Sequence, residues 1–213
     1  MARIAVGVSG LTGLLMTSPK EMIEAERVGA AGRSSSRGSS AVKVRSFADR
    51  LKRSAYFLDE VVGSAVGFPA IAFRRLIMDA AASQFLQLKP EGGRKKSVRL
   101  STELGPCLKV VEAGLLPLTR NGDPIEDYEE HVTTGLNQNT RPPARIVLVR
   151  PLVAVPWQLD FTIEFEEEFA LHNFPELVQG CLARGGRSIG IGAWRPQKGG
   201  VYGTFEVIRF ELV

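Results

Sequence analysis

From Trp157 to Glu166 apolar and polar residues alternate without interruption. Trp157, Leu159, Phe161, Ile163 and Phe165 fall on one side, and Gln158, Asp160, Thr162, Glu164 and Glu166 on the other. A period of two describes a strand with one buried and one solvated face, and it assigns Trp157 to the core. Residues 2–9, ARIAVGVS, alternate well enough for another strand, and 203–212, GTFEVIRFEL, form a closing one. Leu14-Leu15-Met16 follow the first strand in what reads as a turn and loop. Residues 141–150 lead into a further strand, with Pro151 and Pro156 bracketing 152–155.

Helical spacing is clearest in two places. Residues 70–86, AIAFRRLIMDAAASQFL, follow Pro69, which suits a helix start. Ile71, Leu76, Met78 and Phe85 are its expected buried side, and Arg74 and Arg75 face outward to solvent or toward a ligand. The second helix covers 173–184, with Asn173 as cap and Pro175 just inside. Phe174, Leu177, Val178, Cys181 and Leu182 make its apolar face, so Cys181 reads as a buried small hydrophobe. Gly185-Gly186 reads as the stop. The remaining expectations are a short helical segment at 20–28 and a strand at 41–46 or a helical turn near Ala48. Strands are expected at 54–58, 97–104 and 107–118, with a turn at Asn121-Gly122-Asp123 and an irregular acidic excursion over 123–139.

At 213 residues the chain is long enough for one substantial core, and we read it as a single domain over 1–213. Residues 29–40, GAAGRSSSRGSS, cannot bury a core and read as a flexible arm. Residues 89–140 read as an insertion. Cys107 and Cys181 form neither a metal spacing nor a disulfide framework, which makes a reducing cytoplasm the default compartment. His131 and His172 are the only histidines, so a His-rich metal site is excluded, and no metal or other cofactor is expected. No apolar run approaches the roughly 20 residues of a membrane-spanning helix. The N-terminus reads as a strand and its loop and not as a signal peptide.

Net charge is +4, but its distribution says more. Residues 27–53 carry eight Arg or Lys and one acid, and 89–99 carry five basic groups and one acid. Residues 123–130 and 160–168 carry five acids each. Segregated blocks of this kind suit a polyanionic partner. They also suit self-association, with the acidic face of one copy meeting the basic face of the next.

Chemistry concentrates in Gly185–Phe205, GGRSIGIGAWRPQKGGVYGTF, which holds seven glycines, Trp194, Tyr202 and three cations but no acid. Glycine lets backbone approach a ligand, successive N–H groups make anion-binding concavities, and aromatic faces stack on unpaired bases. The stretch is not a Walker loop, since no Gly-Lys-Ser/Thr follows at the required spacing. It is not a dinucleotide fingerprint either, since its glycines follow a helix and no helix opens after them. The nucleic-acid-binding residues expected here are Arg187, Trp194, Arg195, Lys198 and Tyr202. Arg45, Arg50, Lys52, Arg53, Arg94, Lys95 and Lys96 are expected to add contacts to phosphates.

The ending Ile189-Gly190-Ile191-Gly192, Trp194-Arg195-Pro196, Gly199-Gly200 and Gly203-Thr204-Phe205 resembles that of a group of phage and prophage proteins. More distantly it is similar to the RAMP superfamily of CRISPR backbone proteins, whose domains end in a glycine-rich loop. The resemblance implies an α+β, RRM-like or ferredoxin-like βαββαβ core with β insertions. It also implies binding of single-stranded RNA or DNA in a head-to-tail filament, by a phage-encoded protein in the cytoplasm of a bacterial cell. Ala193 and Thr204 depart from the group's common acid and Arg.

The expectation is a non-catalytic single-stranded nucleic-acid-binding protein that forms homo-oligomers along its ligand, with no membrane partner. The alternative is a structural or assembly protein, or an inhibitor or adaptor of a host complex, that works without nucleic acid. A metal-independent RNase using His131 or His172 is disfavoured, because neither histidine stands in a recognisable acid–base constellation.

Overall fold

A computed structural model describes residues 1–17, 51–52, 54–59, 64–88, 96–137, 144–167 and 173–213. The chain is α+β. Its main sheet is built on β1 (Ala2–Gly10), which lies between β12 (Gln158–Phe165) and β13 (Phe205–Leu212), antiparallel to both. The alternation expected for β12 holds: Trp157, Leu159, Phe161, Ile163 and Phe165 are all buried. Ile4, Val6 and Val8 of β1 join them on the same face. In β13 the register slips between Gly7 and Val8, which leaves Ile208 as a bulge and 54% exposed.

The far side of β12 is paired in pieces. β6 (Lys109–Val110) meets Ile163 and Glu164, and β8 (Thr119–Arg120) meets Gln158, with β9 (Asp123–Pro124) beyond it. Between these pieces the Glu112 carboxylate accepts the Thr162 N–H at 2.9 Å, replacing a missing ladder bond. The strand β7 (Leu115–Pro117) leaves this edge to pair with β3 (Gly67–Pro69).

Two helices cover the apolar face. α1 (Ile71–Ala82) places Phe73 in a stack on Phe161, ring centroids 4.3 Å apart, and edge-on to Phe205. Its buried residues are Phe73, Leu76, Ile77, Ala80 and Ala81. Ile71 and Phe85, expected inside, are 65% and 59% exposed. The apolar stripe is wide enough to allow several phases, and the one adopted turns Leu76 and small Ala80 to Gly185 of the neighbouring helix. That helix, α3 (Phe174–Ser188), stacks Phe174 on Phe165 at 4.6 Å and buries Val178, Cys181 and Leu182 as expected. Asn173 holds the cap position without a side-chain hydrogen bond.

Several expectations are corrected. Gly185 and Gly186 do not stop α3 but lie buried inside it. A Cβ on Gly185 would lie 2.9 Å from Leu76 Cγ, so these glycines permit close helix packing. Residues 97–104 and 107–118 are not two strands. β5 (Lys96–Arg99) pairs with β4 (Phe85–Leu88), and Leu100–Cys107 form α2, burying Leu100 and Leu104 four residues apart. Arg74 is not simply solvated: it donates to the carbonyls of Gly105 and Leu108 at 3.1 and 3.2 Å, capping the end of α2. In place of a strand at 54–58 there is a helical residue at Ser54 and a single bridge from Phe57 to Val66.

The acidic excursion is also more regular than expected. β10 (Glu129–Asn137) and β11 (Ala144–Val153) pair antiparallel along nine residues of β10. Leu14 and Leu15 are not loop residues: as β2 they pair with Val153 and Leu152, fully buried. The 29–40 arm, the segments 20–28 and 41–46, and His172 lie outside the described residues.

Candidate nucleic-acid interface

The chain leaves α3 at Ile189 and returns at Phe205 after folding back on itself. Gly190, Gly192, Gly199 and Gly203 all have positive φ. Gly192 is needed for approach as well as for conformation: a Cβ there would lie 2.5 Å from the Leu15 carbonyl oxygen. The N–H of Ile191 donates to Gly203 O, and that of Gly203 to Gly13 O. Ala193 N–H donates to Leu15 O at 2.8 Å, and Tyr202 N–H to Trp194 O at 3.1 Å. The glycines therefore let the loop close on itself and on the β1–β2 corner. Its N–H groups are largely consumed internally, so charge and stacking fall to the side chains.

That corner is itself fixed from below. The buried Trp157 donates its indole N–H to Thr12 O at 2.8 Å. The Thr12 hydroxyl oxygen accepts from Thr204 N–H at 3.0 Å and lies 2.9 Å from the Thr204 hydroxyl. The core tryptophan thus positions the strap that holds the loop.

Trp194, whose carbonyl pairs with Tyr202 across the loop, has φ 49° and 40% exposure. For a bulky side chain a positive φ is strained, and it persists only where surrounding contacts enforce it. Here the Trp194 carbonyl is held by Tyr202 N–H. The ring meets His131 of β10 edge-on, centroids 6.0 Å apart. His131 in turn meets Tyr202 edge-on at 5.2 Å. The three rings form one cluster across the loop and the β10–β11 hairpin. Among the described residues, His131 Nε2 is buried without a hydrogen-bond partner.

Arg195 adjoins this cluster in a folded-back position. Its Nε and Nη2 donate to Gln197 Oε1 at 3.1 and 2.9 Å, and Nη1 donates to Gly192 O at 3.2 Å. Gln197 Nε2 donates to Asp79 Oδ2 at 3.2 Å, linking the loop to α1. Lys198 is exposed in a 3-10 turn, Pro196–Lys198.

Of the expected residues, Trp194 and Tyr202 are brought together through His131, with Arg195 and Lys198 on the same loop. Arg187 is exposed on α3 and lines a separate groove with Arg184 and Glu206. Lys52 is exposed. Lys96 opens β5, and its side chain lies outside the described part. Arg45, Arg50, Arg53, Arg94 and Lys95 lie outside the described residues. His131 is the member that sequence reasoning missed. Its place beside Trp194 depends on a hairpin whose polar strand, EEHVTTGLN, carries little hydrophobic signal.

A cleft of about 370 Å³ opens on the other side of the loop, against α1. Tyr56 on its lining donates its hydroxyl to Thr17 O at 2.8 Å, and burial pushes that hydroxyl's pKa up. The open face of the main sheet is different in character. Arg3, Ala5, Gly7 and Ser9 of β1 lie opposite Glu164, Thr162, Asp160 and Gln158 of β12, without an aromatic ring. Arg3 pairs with Glu164 at 3.0 Å and Arg209 with Asp160 at 2.8 Å.

Among the described residues no group of three His, Cys, Asp or Glu could hold a metal ion, and no helix is long and apolar enough to cross a membrane. Compared with known protein families and with curated proteins, the chain matches none.

Proposed function

We propose that the protein binds single-stranded RNA or DNA without catalysing a reaction on it, and self-associates along the strand. The observation that carries this reading is Trp194: a large aromatic ring, partly exposed, held in a pinned loop and buttressed by His131. A ring fixed in advance loses little entropy when a base stacks on it. Lys198 and the unused donors of Arg195 would meet the flanking phosphates. The open sheet face offers no stacking ring on β1 or β12, which favours the loop over that face as the contact surface.

The strand order β13-β1-β12-β8 supports an RRM-like or ferredoxin-like reading of the core. So does the placement of α1 after β1 and of α3 between β12 and β13. The phage and RAMP resemblance of the loop agrees with that reading, and a bacterial cytoplasm is the compartment proposed with it. Self-association is supported by β13, an edge strand with Ile208 and Leu212 exposed at 54% and 66%. That same edge favours a second reading, a structural or adaptor protein that assembles without nucleic acid.

Fluorescence anisotropy with a labelled single strand, repeated across salt concentrations, tests the proposal. Binding that weakens steeply with salt and is impaired by Trp194→Ala is expected. Absence of binding to both RNA and DNA at low salt would leave the structural reading in its place.

A further inference from the structure

We infer that the cleft between α1 and the glycine-rich loop receives one unstacked nucleobase of the bound strand; this rests on the nucleic-acid reading above. Trp194 is partly exposed, and its neighbours in sequence, Ala193 and Arg195, both line the cleft together with Gly190, Ile191 and Gly192. A strand that stacks one base on Trp194 therefore has a neighbouring base within reach of the cleft.

The cleft has the chemistry for such a base. Its volume of about 370 Å³ falls within the roughly 300 to 1,000 Å³ of small-molecule sites. Phe68, Leu76 and Ile191 supply buried apolar surface, and Tyr56 stands edge-on to Phe68 with centroids 6.0 Å apart. A flat heterocycle also needs hydrogen-bonding groups along its edge. Thr17 lines the cleft, and among the described residues its hydroxyl oxygen is buried without a hydrogen-bond partner. A buried hydroxyl without a partner is costly, and a base edge that reached it would supply one.

The charges agree. Arg75 of α1 and Arg195 of the loop line facing walls of the cleft. Arg195 spends three hydrogen bonds on Gln197 and Gly192, which leaves two of its five N–H donors for a phosphate. Among the described residues the lining holds one carboxylate, Asp79, which accepts from Gln197. A cationic rim over an apolar floor suits a nucleotide better than an aliphatic side chain from another protein.

The test uses the full chain and labelled strands of ~12 nucleotides, a length within the range that single-strand sites cover. The probes are mixed-sequence DNA and RNA, and a tetrahydrofuran-spacer strand that keeps the phosphates and lacks the bases. In Trp194→Ala, where stacking on that ring is lost, the strands with bases should still bind about tenfold more tightly than the spacer strand. Adding Ala72→Phe, which fills the cleft from its α1 wall, should abolish that residual preference and leave binding of the spacer strand unchanged. Thr17→Val, which keeps the shape and removes the hydroxyl, should reduce it; this variant carries the test if Ala72→Phe fails to fold. Equal binding of all probes by Trp194→Ala would overturn the cleft assignment and leave the loop reading standing, as would a preference indifferent to both cleft variants. Wild-type protein that binds no probe would overturn both.

Discussion

Gly186 packs against Phe205 so closely that a Cβ added to it would lie 2.5 Å from the Phe205 carbonyl oxygen and 2.9 Å from its ring. Helix α3 and strand β13 meet there, and the glycine-rich loop is the chain that joins them. The contact therefore sets the separation of the loop's two ends. Gly186→Ala should destabilise the protein by about 1–3 kcal/mol through overpacking. Gly180→Ala, on the same helix with nothing within 4 Å of the added carbon, should stabilise it by roughly 0.5–1 kcal/mol. Urea unfolding of the two variants checks both signs.

The ring cluster should read out in binding. Trp194→Ala removes the stacking surface and should cost about 1–3 kcal/mol of affinity for a single strand, with little change in its salt dependence. Lys198→Gln should do the reverse, reducing the slope of log affinity against log salt by about 0.7. Titrations at several salt concentrations separate the two effects. His131→Ala should weaken binding through Trp194, whose ring it meets edge-on. It should also shift the tryptophan emission contributed by Trp194, which buried Trp157 would not produce.

The open sheet face makes a pH prediction. Hydrogen bonding from the Arg3 guanidinium holds the Glu164 carboxyl below its ordinary 4.5, and Lys109 adds to the effect. A carboxyl lowered in the folded state contributes stability above its unfolded pKa and loses it as pH falls through the folded one. Unfolding midpoints should therefore drop as pH decreases below about 4.5, and Glu164→Gln should lack this component of the drop.

Cys181 should behave as core. Burial pushes its thiol up, against smaller opposing effects of Gln84 and Arg184, and the thiolate is the reactive form. In a Cys107→Ser background a thiol reagent at pH 8 should leave native protein unmodified and label Cys181 only after unfolding.

These assignments differ in how far they could be read from residues alone. The β12 alternation and the apolar face of α3 were legible because each buries one continuous set of large side chains at a fixed period. Helix α2 was not, since Gly105 and Pro106 sit in its short span and mask the Leu100–Leu104 spacing. The polar β10 was not either: it is held by pairing to β11 and not by a hydrophobic face of its own. The glycines misled for a related reason. Gly185-Gly186 has the composition of a helix stop, but its role is set by Leu76 and Phe205, which are distant in sequence. Trp194, Tyr202, Arg195 and Lys198 could be picked out as a charged and aromatic loop. That His131 backs Trp194, and that the loop's N–H groups are spent internally, follows only from the fold.

The most direct measurement is light scattering during size exclusion, with and without a single strand of ~40 nucleotides, long enough for several sites of ~4 to 16 nucleotides each. RNA or DNA is expected to convert the protein into larger complexes at low salt, high salt to reverse the conversion, and Trp194→Ala combined with Arg195→Ala to weaken it. A defined oligomer whose mass is the same with and without either strand, at low and high salt, would contradict that expectation.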